Sequence, residues 1–183
     1  MTENKAGLRP VIALGTFDGL HPGHRKVILT CVELAHKLAS PAAVYTFLEN
    51  PRSLFGASPK ALMTNEEKEK ELLALGIDAV YAVHFTGDRA SLSPEDFISL
   101  LIDTYHPCAL VAGEDYSFGK YAAGGSELLT ELCKQKGIYS VIVPLVRDSG
   151  TGEPYSSTRI RDAIARGDQE LADKLLHGFE EDP

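Results

Sequence analysis

The chain has 183 residues, of which 44% are hydrophobic and 24% charged, with 16 glycines, 10 prolines and no tryptophan. That length suits one domain able to bury its own core, and the apolar content excludes disordered and low-complexity classes. A formal charge of −8, from 18 basic against 26 acidic side chains, excludes the basic stripe of a nucleic-acid binder and makes an anionic membrane surface a poor partner.

Apolar, β-rich runs alternate with helical patterns along the whole chain. Val11–Leu14 reads as a short buried strand, and His24–Leu38 then carries apolar residues at helical spacing. Ala43–Phe47 is a second strand. Thr64 and Glu67 form a capping box that opens a helix to about Leu75, closed by Gly76. Ala79–Phe85 is a third strand. Ser93 and Pro94 start a helix with acids in its first turn, running to about Tyr105. Cys108–Ala112 is a fourth strand, Ser126–Lys136 a helix ended by Gly137, and Tyr139–Val143 a fifth strand. The turn-rich Asp148–Glu153 predicts a small hairpin between residues 145–147 and 154–155. Ser157–Arg166 and Asp168–Leu176 are closing helices separated by Gly167.

Apolar strands each followed by a helix predict an α/β fold: a doubly wound, Rossmann-like parallel sheet of about five strands, helices on both faces. One domain over residues 1–183 is expected, with no linker and no repeat. The first nine residues lack the apolar run of a signal peptide, and no stretch approaches the roughly 20 apolar residues of a membrane span. Cys31, Cys108 and Cys133 are odd in number and set in apolar runs, which reads as thiols of a cytoplasmic protein. Nothing in the sequence speaks to oligomeric state.

Several motifs fail on spacing. Gly113 to Lys120 imitates a phosphate-binding P-loop but has five residues between its glycines and Tyr121 where a hydroxyl should bind Mg²⁺. No G-x-G-x-x-G follows the first strand. The segment that carries chemistry is Gly15-Thr-Phe-Asp-Gly-Leu-His-Pro-Gly-His24. Pro22 suits a first helical position, which puts His21 and His24 in an opening turn rich in free N–H groups. Gly23 lets a phosphate approach the backbone closely. Two imidazole donors there suit a phosphoryl transition state that accumulates charge. A second cradle is expected at Ser156-Ser-Thr-Arg-Ile-Arg161, with Ser157 as the helix cap and Arg161 reaching back beside its hydroxyl. Arg159 is expected to pair with Asp162.

Gly15–His24 is similar to the H-x-G-H signature of nucleotidyltransferases, and in its fuller form G-x-F-D-G-x-H-x-G-H it resembles the FMN adenylyltransferase module of bacterial FAD synthetases. Leu62-Met-Thr64 with Glu67-Lys68, Ser93 to Phe97, Val111 to Gly119 and Ser156 to Arg161 follow in that family's order. The resemblance implies FMN + ATP → FAD + pyrophosphate with Mg²⁺ as cofactor. It implies that His21, His24, Ser157 and Arg161 are catalytic, and that Gly15, Phe17, Asp18, Gly23, Ser156 and Thr158 bind ATP. Phe47, Pro51, Asp115, Tyr116 and Phe118 would bind the flavin. Bland readings stand beside these: Phe47 as core, Tyr116 and Phe118 as loop anchors, Asp115 as a turn cap or the partner of a metal-bound water.

The sequence offers no dedicated metal cage, so Mg²⁺ is expected to arrive on the ATP phosphates. After the second strand the family often reads T-F-x-P-H-P, whereas here Leu48, Glu49 and Asn50 precede Pro51. The riboflavin kinase domain that usually follows is expected to be absent. Two other functions remain open: a nucleotidyltransferase for another phosphorylated acceptor, such as phosphopantetheine or glycerol phosphate, and a non-catalytic flavin- or nucleotide-binding module.

Overall fold

A computed structural model describes residues 8–56 and 59–178. Five strands form one parallel sheet: β1 (Val11–Leu14), β2 (Ala42–Phe47), β3 (Ala79–Val83), β4 (Ala109–Gly113) and β5 (Tyr139–Val143), in the order β3-β2-β1-β4-β5. The chain runs outward from β1 to one edge, then crosses to β4, so the order reverses beside β1. The crevice at the carboxyl ends of β1 and β4 is where such sheets bind ligands.

The central strands are buried on both faces, which is why they read as unbroken apolar runs. Helix α1 (Pro22–Lys37) covers one face. It buries Val27, Ile28, Cys31, Val32 and Ala35 against Val11, Ala13, Val44 and Val111, with Leu72 of α2 (Asn65–Ala74) in the same cluster. The other face holds α4 (Pro94–Tyr105) and α5 (Ser126–Gln135), whose Phe97, Ile98, Leu101, Leu129 and Leu132 pack with Ile12, Leu14, Tyr45 and Leu110. Helices α6 (Ser157–Ala165) and α7 (Gln169–His177) build a smaller cluster around Tyr155, Ile160 and Leu175.

The predicted elements stand, with ends moved by one or two residues. The Thr64–Glu67 capping box is complete in both directions. Around the Asp148 turn, Tyr155 N–H donates to Val146 O and Asp148 N–H to Glu153 O, so the expected hairpin exists as a narrow pairing. Three short pieces lie outside the sequence reading: 3₁₀ turns at Pro51–Phe55 and Lys120–Ala122, and α3 (Gly87–Ser91); the third strand stops at Val83, two residues short of Phe85. Each is too short to show a period. Asn50 and Thr86 were the readable signals, because each side chain caps the turn that follows it. Among the described residues no helix is long and apolar enough to cross a membrane.

Candidate active site

A cleft of about 780 Å³ opens at the switch point, and every site residue anticipated from the sequence lines it. Its two ends differ in chemistry and lie on opposite faces of the sheet edge.

The first end is built by the loop between β1 and α1. Phe17 and Leu20 are both buried and both hold positive φ, at 50° and 42°, with Gly19 between them at 86°. Their burial keeps this unfavourable backbone in place and turns the chain so that His21 caps α1. The rings of His21 and His24 stack at 3.7 Å between centroids, and Phe17 meets His24 edge-on at 5.5 Å. A Cβ on Gly23 would stand 3.2 Å from the His21 ring, so that ring leaves little room for a larger residue.

His21 Nδ1 accepts the N–H of His24 at 3.4 Å. An accepting Nδ1 is unprotonated, so the neutral ring carries its proton on Nε2. Burial agrees, lowering the His21 pKa to about 4. His24 is held well below its usual value, first by desolvation and then by the positive charges of His21, Lys68 and Arg161. Its Nδ1 is buried without a hydrogen-bond partner among the described residues. The first cradle therefore offers uncharged imidazoles at neutral pH, with nearby cations already facing it.

The second cradle departs from expectation in detail. Ser156, not Ser157, is the cap of α6: its extended backbone (φ −154°, ψ 149°) lets its side chain accept the Arg159 N–H at 3.3 Å. Ser157 is already helical, and its hydroxyl donates to the Asp18 carbonyl at 2.9 Å. Arg161 does not reach back to Ser157. It pairs with the Asp18 carboxylate and donates from Nε to Lys60 O at 2.9 Å. The other oxygen of Asp18 accepts the Leu62 N–H at 2.9 Å. Arg159 turns to Glu153 at 2.9 Å and to Pro154 O, not to Asp162, because the turn before α6 brings those acceptors closer. Asp18 thus ties the first loop to the start of α6.

Lys68, only 7% exposed, is a tie that sequence reasoning left without a role. Its Nζ donates to Phe47 O at 2.9 Å and to Thr16 O at 3.4 Å, joining the loops after β1 and β2. Burial lowers its pKa while Asp18 opposes that shift. The signal was its place one helical turn before buried Leu72.

The other end of the cleft is aromatic. Phe118 is buried against Phe97 at 5.7 Å and stacks with Tyr116 at 5.7 Å; Phe47 meets Phe85 edge-on at 4.9 Å. Phe118 is fixed by a backbone pairing with Gly124, so it is at once a loop anchor and a cleft wall. Burial pushes the Tyr116 phenol far up, which keeps it neutral. Asp115 folds back over Gly113, whose added Cβ would meet its Oδ1 at 2.9 Å. Tyr45, Phe85 and Arg89 also line this end and escaped the sequence reading.

The strand order and the switch-point cleft define a doubly wound, Rossmann-like α/β protein. Over residues 4–159 the chain matches the FAD synthetase family and belongs to it. It is 33% identical to a bifunctional riboflavin kinase/FMN adenylyltransferase of Listeria monocytogenes, over 96% of this chain and 56% of that protein. It is 36% identical to the Bacillus subtilis protein of the same description, over 92% and 53%. An FAD synthetase of Listeria monocytogenes is 29% identical over 96% of this chain and 72% of its own length. The chain spans about half the length of the first two relatives. A crystal structure from Streptococcus pneumoniae, described as a macrolide-efflux protein, superposes with a TM-score of 0.81 at 32% identity, covering 92% of this chain and 56% of that one.

Proposed function

We propose that this chain is an FMN adenylyltransferase, acting as one nucleotidyl-transfer unit on FMN and ATP. The observation that carries the reading is the pairing, in one cleft, of a neutral two-histidine cradle at a helix start with an aromatic chamber across the sheet edge. Family membership and the description of relatives as FMN adenylyltransferases support it.

A phosphate oxygen of FMN attacks the α-phosphorus of ATP in line. One P–O bond forms, the bond to the β-phosphate oxygen breaks, and pyrophosphate leaves. The nucleophile is supplied by the substrate, so no activated serine or cysteine is required. His21, with Nε2–H free to donate, and His24 stabilise charge growing on the transferred phosphoryl group, aided by the free amides of α1. Ser157 and Arg161 hold the leaving pyrophosphate, and Gly15, Phe17, Asp18, Gly23, Ser156 and Thr158 line the ATP side. Phe47, Pro51, Asp115, Tyr116 and Phe118 receive the flavin ring.

Among the described residues no group of three or more carboxylate, imidazole or thiol side chains stands ready to hold a metal ion, and Asp18 is already committed to Arg161. Those described residues do not form a cage for Mg²⁺; the ion would accompany ATP on its phosphates. Three unpaired cysteines suit the reducing cytoplasm where such cosubstrates occur.

Incubation with FMN, ATP and Mg²⁺ should yield FAD and pyrophosphate in equal amounts. Consumption of ATP with phosphopantetheine or glycerol phosphate but not with FMN would overturn the reading. So would binding of both substrates without pyrophosphate release.

A further inference from the structure

Arg89 rises from α3 on the aromatic side of the cleft. Its Nη1 donates to the Tyr45 hydroxyl at 3.1 Å. Tyr45 is itself 2% exposed and wedged edge-on against Phe47 at 5.7 Å and Phe97 at 5.9 Å, so the guanidinium is anchored to a rigid post. No carboxylate among the described residues pairs with Arg89. Glu49, on the loop after β2, is spent on His84 at 2.6 Å and on the Phe85 N–H at 3.1 Å. Of the carboxylates lining the cleft, Asp18 holds Arg161, and Asp115 lies on the loop after β4. A guanidinium has five N–H donors, and the Tyr45 bond uses one of them.

The location decides what those donors can read. Tyr45, Phe97 and Phe118 belong to the core on the α4–α5 face, whereas Phe17 belongs to the core under α1 and packs on His24. Arg89 is thus across the sheet edge from the phosphate cradle, among flat aromatic walls that suit a fused ring. A planar cation set in such walls fits the carbonyl-bearing edge of a heteroaromatic ring, to which a fork of N–H groups can donate in plane.

We propose that Arg89 is a specificity-determining residue for the acceptor, donating to the carbonyl edge of the flavin's pyrimidinedione ring. This rests on the proposed FMN reading. It supplies the contact that phosphorylated acceptors without such an edge fail to satisfy, leaving a desolvated guanidinium unpaired and so disfavouring them.

The test compares the wild-type chain with Arg89→Met and Arg89→Lys. FMN binding is followed by quenching of flavin fluorescence without ATP, and turnover is measured separately. The same titration is run with a flavin phosphate in which a ring carbonyl is replaced by thiocarbonyl, a poorer acceptor. Arg89→Met should raise the Kd for FMN by about tenfold or more, the scale of a charge-assisted hydrogen bond. Arg89→Lys should recover part of that loss, and KM for ATP should stay within about twofold of wild type, since ATP makes no contact there. The wild type should bind the thiocarbonyl analogue more weakly than FMN, and Arg89→Met should no longer distinguish them. An unchanged Kd for FMN in Arg89→Met, or an undiminished preference for FMN over the analogue, overturns the proposal while leaving the adenylyl-transfer reading intact. Wild-type protein that binds FMN without forming FAD sinks the transfer reading, and the titrations still judge Arg89. Wild-type protein that binds no FMN overturns both.

Discussion

The two helix starts that face the cleft solve the same electrostatic problem in opposite ways. At α1, charge is removed: the buried His21 and the half-buried His24 stay neutral and present dipoles and N–H groups. At α6, charge is kept but balanced, with Arg161 held by Asp18 and Ser157 bonded to the same residue's carbonyl. A neutral donor gains strength as charge develops in the transition state, whereas a paired cation must divide itself between its carboxylate and the ligand. The first start is therefore suited to the chemical step, the second to orienting and retaining a polyphosphate. This also reconciles an acidic chain with the anionic ligands proposed for it, since local dipoles and a few cations act at contact while the net charge of −8 acts at long range.

The largest effect should come from breaking the first start. His24→Ala is expected to lower kcat by about 10²–10³ with little change in KM for ATP, as for loss of one transition-state donor. An unchanged kcat would remove His24 from the chemistry and erase the contrast.

Acid should also act on that end. An unfolded histidine protonates near 6.5, while folded His21 stays neutral until about 4. Between those values the unfolded chain binds the extra proton, so stability falls as pH drops from 6.5 toward 4, by about 3 kcal/mol at most. His24 adds to this in the same direction. Urea midpoints taken across that window should show a shallower slope in His21→Gln; identical slopes would contradict the neutral-cradle picture.

Asp18→Asn tests the second start. It leaves Arg161 without its anion in a partly buried setting, which should cost about 2 kcal/mol of stability. KM for ATP should shift more than kcat, and the opposite split would assign Asp18 to the chemical step. The smallest change is a control at a helix start whose capping residue does not line the cleft. Thr64→Ala removes a capping box and should cost about 1 kcal/mol by thermal unfolding while leaving kcat as it was. A loss of turnover there would mean that any damaged helix start disturbs the site.

How much of this was readable follows from the range of each interaction. The α1 start was legible because its parts lie within ten residues: strand end, glycines, Pro22 at the first helical position and two histidines three apart. The capping box of α2 was legible for the same reason. At α6 the motif was found but its cap was misplaced by one residue, because Ser156 and Ser157 are equivalent in sequence and only backbone angles separate them. The Asp18–Arg161 pair joins residues 143 apart, and Arg89 meets Tyr45 across 44. No local periodicity encodes such meetings; the crossover at the switch point creates them. Lys68 was hidden differently, as a charge on a helix face that should have been apolar, stabilised by carbonyls that only the folded loops bring to it.

The left-handed backbone at Phe17 and Leu20 has a kinetic meaning beyond geometry. Side chains sunk in the core lock a conformation that a free loop would seldom visit, so the template is set when the chain folds and is not searched for at each encounter. A substrate arriving there finds a mould instead of a hinge.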